Sequence, residues 1–215
     1  VLVVGAGIAG ILAAKNAAKN NLKTLLVDEK NELGGSTIYQ DKEFNKIESL
    51  SSSDWLKKEI QELKNIKNLE IKTRTSVAAF HGYNYLLARE NLTDHLEKKD
   101  KQGKIRQRLL KIRAKKVILA TGSLERPLIF NNNDRPGIML SSAIKKYANF
   151  YGVISGKKNV FFTNNDSAYE SAFSLHNKGI KVEAIIDIRE SSNSKIVKKI
   201  EDAGIKIYWS YTIVD

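Results

Sequence analysis

The first thirty residues constrain this chain more tightly than any other stretch. Val1-Leu2-Val3-Val4 reads as a short apolar strand, Gly5-Ala6-Gly7-Ile8-Ala9-Gly10 as a glycine-rich turn, and Ile11 to Asn20 as a helix. Eighteen residues past Gly10, a second apolar run, Thr24-Leu25-Leu26-Val27, ends on Asp28. Strand, glycine turn, helix, strand and terminal acid at these spacings form the βαβ unit that holds the ADP half of a dinucleotide. Gly5 permits the tight turn, Gly7 lets the backbone approach a pyrophosphate that a Cβ would push away, and Gly10 lets the helix pack close to its strand. The pyrophosphate then rests on the helix N-terminus, where unpaired N–H groups and the positive dipole end favour an anion. Asp28 is placed to accept hydrogen bonds from the adenosine ribose. A carboxylate there repels a 2′-phosphate, which favours NAD or FAD over NADP.

Composition narrows the remaining classes. A chain of 215 residues buries one good core and begins a second, and 42% hydrophobic content is ordinary for a globular protein. No apolar stretch approaches the roughly 20 residues needed to span a bilayer, so no membrane role is expected. The sequence starts at Val1 inside a strand and reads as a segment of a longer chain. Cysteine is absent, which excludes a disulfide, a thiolate zinc site, an iron–sulfur ligand or a redox-active dithiol within these residues. That composition suits a reducing cytoplasm, and a cytoplasmic location is the expectation. The net charge of +12 invites a nucleic-acid reading, but the lysines are scattered and no recognition motif accompanies them. The densest cluster, from Lys98-Lys99 to Arg113-Lys115-Lys116, reads as a solvated β-ribbon, and no nucleic-acid partner is expected. His81, His95 and His176 lack metal-ligand spacing, so no metal site is expected.

Further along, residues 36–51 read as polar and irregular. Ser53-Asp54 offers a helix N-cap, followed by Trp55, Leu56, Ile60 and Leu63 at helical spacing. Short strands and turns over about 76–113 suggest an antiparallel meander inserted before Lys116-Val117-Ile118-Leu119-Ala120. That last run is nearly all apolar, as expected of a parallel strand covered on both faces. It leads into Thr121-Gly122. The only two prolines, Pro127 and Pro136, bracket a crossover. The expected organisation is a dinucleotide-binding domain over residues 1–140, with the meander inside it, and a partial second Rossmann-like domain over 141–215.

The second βαβ unit carries an altered fingerprint. Thr163, Asn165 and Ala168 stand where the three glycines stood, and Asp166 is placed to cap the following helix through its side chain. Asn tolerates the turn, but a side chain at 165 and a negative charge at 166 crowd a pyrophosphate. This half is expected to hold no dinucleotide. Tyr169, Ala172, Phe173 and His176, with Leu175, form an inward helical stripe instead. Residues 153–215 are expected to be less ordered than residues 1–30, or to self-associate.

Val1 to Gly10, Asp28 to Gly35 and Ala120-Thr121-Gly122 resemble the two-dinucleotide-binding flavoproteins with glutathione reductase-like folds. The likeness narrows with Gly82-Tyr83-Asn84, the run Arg89 to Leu96, Leu124-Glu125-Arg126-Pro127, Asn133 to Gly137 and Thr163 to Tyr169. These resemble the α subunits of heterotetrameric sarcosine oxidases. The resemblance implies an α/β, Rossmann-like parallel sheet with an inserted antiparallel meander and the start of a second βαβ domain. It implies an oxidoreductase that oxidises sarcosine to glycine, with tetrahydrofolate taking the one-carbon unit and oxygen giving peroxide. NAD would lie on this segment, with FAD as the alternative known from related amino-acid dehydrogenase subunits. A nucleotide that only holds subunits together is a further alternative. FMN and FAD of the complete complex would lie outside the segment, the partners would be the β, γ and δ subunits, and tetrahydrofolate would bind a more C-terminal domain. Carried over to this sequence, Gly5, Gly7, Ile8, Ala9 and Gly10 would hold the pyrophosphate, and Asp28, with Glu29 as second choice, the ribose. Gly34, Gly35 and Ser36 would line the cofactor beyond it, the Val77 backbone would meet the adenine edge, and Thr121 and Gly122 would close the pocket. No catalytic bond-making residue is expected in the segment.

Overall fold

A computed structural model describes residues 1–41 and 46–214; of the irregular stretch expected over 36–51, residues 42–45 lie outside the described ones. Chain contacts divide the protein into two compact units, residues 1–123 and 124–215.

The first unit is built on β1 (Leu2–Val4), α1 (Ile8–Lys19), β2 (Thr24–Val27) and a 3-10 turn (Gly35–Tyr39). A two-residue hairpin, β3 (Lys46–Ile47) and β4 (Leu50–Ser51), leads into α2 (Ser52–Lys64) and β5 (Leu69–Lys72). The meander follows as β6 (Thr75–His81), β7 (Tyr85–Asn91), a short α3 (Lys98–Lys101) and β8 (Gln107–Arg113), and the chain returns through β9 (Val117–Leu119). The parallel sheet has the order β5-β2-β1-β9, and the meander is a separate antiparallel sheet, β6-β7-β8. Successive residues of a strand point to opposite faces. Val3 and Leu26 accordingly pack with Ile11, Ala14, Trp55 and Leu63 from α1 and α2. Leu2 and Val27 pack on the other face with Leu86 of the meander. Each large apolar side chain buried in this way contributes about 1.5–3 kcal/mol.

Two local expectations are corrected. The α2 cap is Ser51, whose Oγ accepts the Asp54 N–H at 3.2 Å, so the helix begins before Ser53-Asp54. Strand β9 is at the sheet edge among the described residues rather than doubly covered, with Ile118 and Leu119 37% and 59% exposed. Its apolar run reflects β-propensity and one covered face, not burial on both sides. Residues 36–51 are also more regular than expected, since they contain the 3-10 turn and the hairpin.

The second unit comprises α4 (Ser141–Lys146), a π turn (Tyr147–Tyr151), β10 (Lys158–Thr163), α5 (Ser167–His176), β11 (Lys181–Asp187), α6 (Lys195–Asp202) and β12 (Lys206–Trp209). Its three strands are parallel in the order β10-β11-β12. Segment 124–140, assigned by the sequence reading to the first domain, lies in this unit. Glu125 ties it down by accepting from the Ser141 N–H and hydroxyl at 3.0 and 2.7 Å and from the Ser142 N–H at 2.7 Å. A carboxylate on the leading N–H groups of a helix stabilises that end. Tyr169, Ala172 and Leu175 of α5 are buried in one core with Ile185 and Ile200, and Phe173 packs against it.

Asp166 corrects a further expectation. It precedes α5, but its carboxylate makes no capping bond. Asn165 Oδ1 takes the Ser167 N–H instead, at 3.0 Å. Asp166 turns toward Arg189, whose Nη2 donates to it at 2.8 Å and to Asp187 Oδ2 at 2.7 Å. Tyr169 Oη donates to the same Asp187 oxygen at 2.8 Å. Asp187 is fully buried at the end of β11. Burial alone would raise its pKa, but hydrogen bonds from Arg189 and Tyr169 outweigh that and hold the carboxyl below its ordinary value. Burial, then the bond to Asp187, pushes the Tyr169 phenol up.

Removing Arg189 leaves a charge buried without its partner, and we expect Arg189→Ala to cost about 3 kcal/mol at pH 7. A carboxyl with a depressed folded pKa contributes stability above its unfolded pKa and loses it as pH falls through the folded one. In the variant the unpaired Asp187 is penalised most when ionised. The difference between wild type and variant should therefore shrink on acidification through the carboxylate range. Urea unfolding at pH 7 and at pH 3.5 tests this; a difference that grows on acidification contradicts it.

Candidate functional site

The C-terminal ends of β1, β2 and β9 bring together residues from three distant parts of the first unit. Val4 leads into Gly5, Val27 into Asp28, and Leu119 into Ala120 and Thr121. The order β5-β2-β1-β9 puts the reversal of strand order beside β1, the position where open α/β sheets receive ligands.

Each glycine of the loop has a different physical reason. Gly5 has φ +97, its N–H donates to Val27 O at 2.8 Å, and a Cβ on it would overlap the Ala120 carbonyl. At Gly10 a Cβ would overlap the Gly5 carbonyl, so α1 can lie this close to the loop only without one. Gly7 differs from both. It has φ −73, which any residue adopts, and a Cβ built there meets no atom within 4 Å. Neither the backbone nor the packing of the chain demands glycine at position 7. The open space above it is what a closely approaching pyrophosphate would use.

The start of α1 supports the same reading. No side chain caps the helix, and its first turn holds no acidic residue. The leading N–H groups over Ile8, Ala9 and Gly10 are left for an external acceptor, with the dipole favouring an anion. Ala9 is exposed, Ile8 is half-buried and packs against the core beneath, and Gly10 is buried.

Asp28 stands at the end of β2 with its carboxylate held in place. Oδ2 accepts the Ala6 N–H at 2.6 Å and Oδ1 the Lys30 N–H at 2.8 Å. Each oxygen keeps a lone pair for a further donor such as a ribose hydroxyl. Glu29 beside it is exposed. Gly34, at φ +126, donates its N–H to Ala6 O at 2.7 Å, and a Cβ on Gly35 would stand 3.0 Å from Gly7 Cα. This close approach seats Gly34-Gly35 against the glycine loop, with Ser36 exposed next to them. Thr121 Cα lies against Gly5, and Gly122 follows at φ +74, both residues exposed. Val77 is set apart: its side chain packs with the Leu2, Val27 and Leu86 cluster, and any contact with a ligand would have to be through its backbone.

The corresponding place in the second unit is filled by the chain itself. Thr163 Oγ1 donates to Asn165 O and accepts the Asn165 N–H, which closes the loop with side chains. Asp187, the counterpart of Asp28, spends both oxygens on Arg189 and Tyr169. The same spacing that singles out Asp28 could have found Asp187 in the sequence. Its capture by Arg189 two residues later has no sequence signature. Among the described residues, no group of three or more His, Cys, Asp or Glu is placed to hold a metal ion.

The comparisons with known proteins agree with this geometry. The family model described as pyridine nucleotide-disulphide oxidoreductase matches residues 1–214. The sarcosine oxidase α subunit of Corynebacterium sp. (strain P-1) is 39% identical over all 215 residues, which make up 22% of that subunit. The α subunit from Rhizobium meliloti (strain 1021) is 35% identical over 192 residues, 89% of this chain and 19% of its own length. The chain thus spans about a fifth of the curated relatives it matches. Among solved structures, the L-proline dehydrogenase of P. horikoshii superposes with a TM-score of 0.68 at 27% identity, covering 89% of this chain and 36% of that one. The T. acidophilum thioredoxin reductase superposes at 0.66 over 99% of this chain and 64% of its own; at 18% identity it shows the fold alone. The Rossmann-like reading of the sequence is confirmed, and the fold is one that binds flavin or nicotinamide dinucleotides. With no cysteine, the chain carries no redox dithiol of its own. On a match that runs over residues 1–214, this chain belongs to the pyridine nucleotide-disulphide oxidoreductase family.

Proposed function

We propose that the chain is the dinucleotide-holding part of a sarcosine oxidase α subunit, with NAD on the Gly5–Gly10 loop. The observation that carries the site is Gly7, a glycine that the protein's own packing and backbone do not require. The whole-length similarity to sarcosine oxidase α subunits carries the enzyme. In this reading the N–H groups opening α1 and the Gly7 backbone hold the pyrophosphate. Asp28, oriented by Ala6 and Lys30, takes the ribose hydroxyls, and the Val77 backbone meets the adenine edge. Gly34, Gly35, Ser36, Thr121 and Gly122 border the rest of the cofactor. A bound dinucleotide supplies hydride chemistry or, if only structural, an anionic strut; these residues bind and orient it and carry no bond-making step. The complete enzyme would demethylate sarcosine oxidatively in the cytoplasm, with tetrahydrofolate and oxygen, in complex with β, γ and δ subunits. A second reading places FAD in the same cradle of an amino-acid dehydrogenase, and the likeness to an L-proline dehydrogenase favours it.

Three outcomes are expected. Gly7→Val should fold with a Tm close to wild type, because its side chain enters open space, yet lose NAD binding more than a hundredfold by calorimetry. Wild-type affinity in that variant would remove the pyrophosphate from this loop. Asp28→Asn keeps the shape of the side chain and removes its charge. A charge-assisted hydrogen bond is worth about 1.5–3 kcal/mol, so NAD affinity should fall tenfold or more, and the preference over NADP should narrow. Unchanged affinity and preference would exclude Asp28 as the ribose ligand. The purified 215-residue chain should release no peroxide from sarcosine; peroxide at a rate proportional to its concentration would show that bond-making residues had been overlooked.

A further inference from the structure

A second polar cavity, of about 230 Å³, opens in the first unit away from the glycine loop. Its walls are the end of β5 with Thr73 and Arg74, the end of β7 with Glu90, Asn91 and Leu92, and His95. The run Arg89 to Leu96, singled out in the sequence but unused by the dinucleotide cradle, supplies half of this lining. At about 30 Å³ per water the cavity has room for about seven waters, too few for a nucleotide and enough for a small ion.

The charges around it are almost all spent. Glu90 Oε1 accepts from Lys72 at 3.0 Å, and Oε2 from Arg108 at 3.3 Å. Lys72 also pairs with Glu70, and Asp94 with Arg106. Arg74 is the exception: it is half-buried, and its guanidinium makes neither a hydrogen bond nor an ion pair among the described residues. Its backbone is left-handed, at φ 51, a conformation costly for a side-chain-bearing residue. Two backbone bonds hold it there, Arg74 N–H to Lys30 O at 2.8 Å and Asn91 N–H to Arg74 O at 2.9 Å. Two neutral donors share the lining. Asn91 Oδ1 is engaged by the Asp94 N–H at 3.0 Å, and its NH2 group makes no hydrogen bond among the described residues. The Thr73 hydroxyl, in the same lining, makes no hydrogen bond among the described residues. Arg74, Asn91 and Thr73 therefore line, without a protein partner for these groups among the described residues, a cavity whose only carboxylate, Glu90, is already doubly paired.

We propose that this cavity is a binding site for a small oxyanion, a carboxylate or a phosphate group, held by Arg74 with Asn91 and Thr73. The proposal does not rest on dinucleotide binding at the glycine loop. A single guanidinium matches a carboxylate or phosphate oxygen pair through its planar fork, and the amide and hydroxyl satisfy the remaining lone pairs. An occupant would offset the cost of desolvating Arg74 and of holding it in a left-handed conformation.

The test is thermal unfolding and calorimetry of the 215-residue chain with sodium acetate or sodium phosphate, each against sodium chloride at equal ionic strength. The expected result is a saturable rise in Tm with at least one of the two, about 3–6 °C at a tenfold excess over Kd. Which salt acts separates a carboxylate ligand from a phosphate. Arg74→Gln should lower the affinity at least tenfold. Arg74→Gly should also lose the response, while its own Tm stays equal to or above wild type because glycine relieves the backbone. Gly7→Val should keep the full response, so failure here is distinguishable from failure of the dinucleotide reading. Absence of a saturable shift with both salts, or a wild-type response in Arg74→Gly, would overturn the proposal.

Discussion

The approach of α1 to its own strand is the constraint on which the first unit depends. The Gly5 carbonyl occupies the place where a Cβ on residue 10 would sit, and the Ala120 carbonyl occupies the place of one on residue 5. Two glycines thus let a helix, a turn and two strands meet at backbone contact. That contact sets the α1 N-terminus over the ends of β1, β2 and β9, close to Asp28 and the Gly34-Gly35 turn. A Cβ at either position would push helix and sheet apart, and the core beneath α1 would be lost with the loop geometry. Gly7 is free of this duty: its backbone is ordinary, and a Cβ there would meet no atom of the chain.

The two βαβ units show how one topology diverges in chemistry. Both run strand, loop, helix and parallel strand, and both end the second strand on an aspartate, Asp28 or Asp187. In the first, the aspartate bonds only backbone N–H groups and retains capacity for a ligand. In the second, Arg189 and Tyr169 consume it, and Thr163 and Asn165 tie the loop to itself. The polar groups at this loop and strand end are thus engaged within the chain. The second unit keeps the fold as a packed α/β layer around Tyr169, Leu175 and Ile185.

Much of this was legible in the sequence because its signals are local. Glycine spacing, an apolar strand and a terminal acid act within thirty residues, and the first βαβ unit follows from them. The inward stripe of α5 follows equally from helical periodicity. What failed depended on distant partners. Asp166 reads as a cap until Arg189, 23 residues later, draws its carboxylate away. Val117 to Leu119 read as a central strand until the sheet order places them at an edge. Arg74 gave no signal, because a left-handed arginine is imposed by Lys30 and Asn91 across the fold.

Amide chemical shifts followed by NMR while ADP is added test most directly where the dinucleotide sits. The account predicts that the largest changes fall on Gly7, Ile8, Ala9 and Gly10, with smaller ones at Asp28 and Gly35, and none at residues 163–168. Saturable changes confined to 163–168, with Gly7 to Gly10 unmoved, would contradict it.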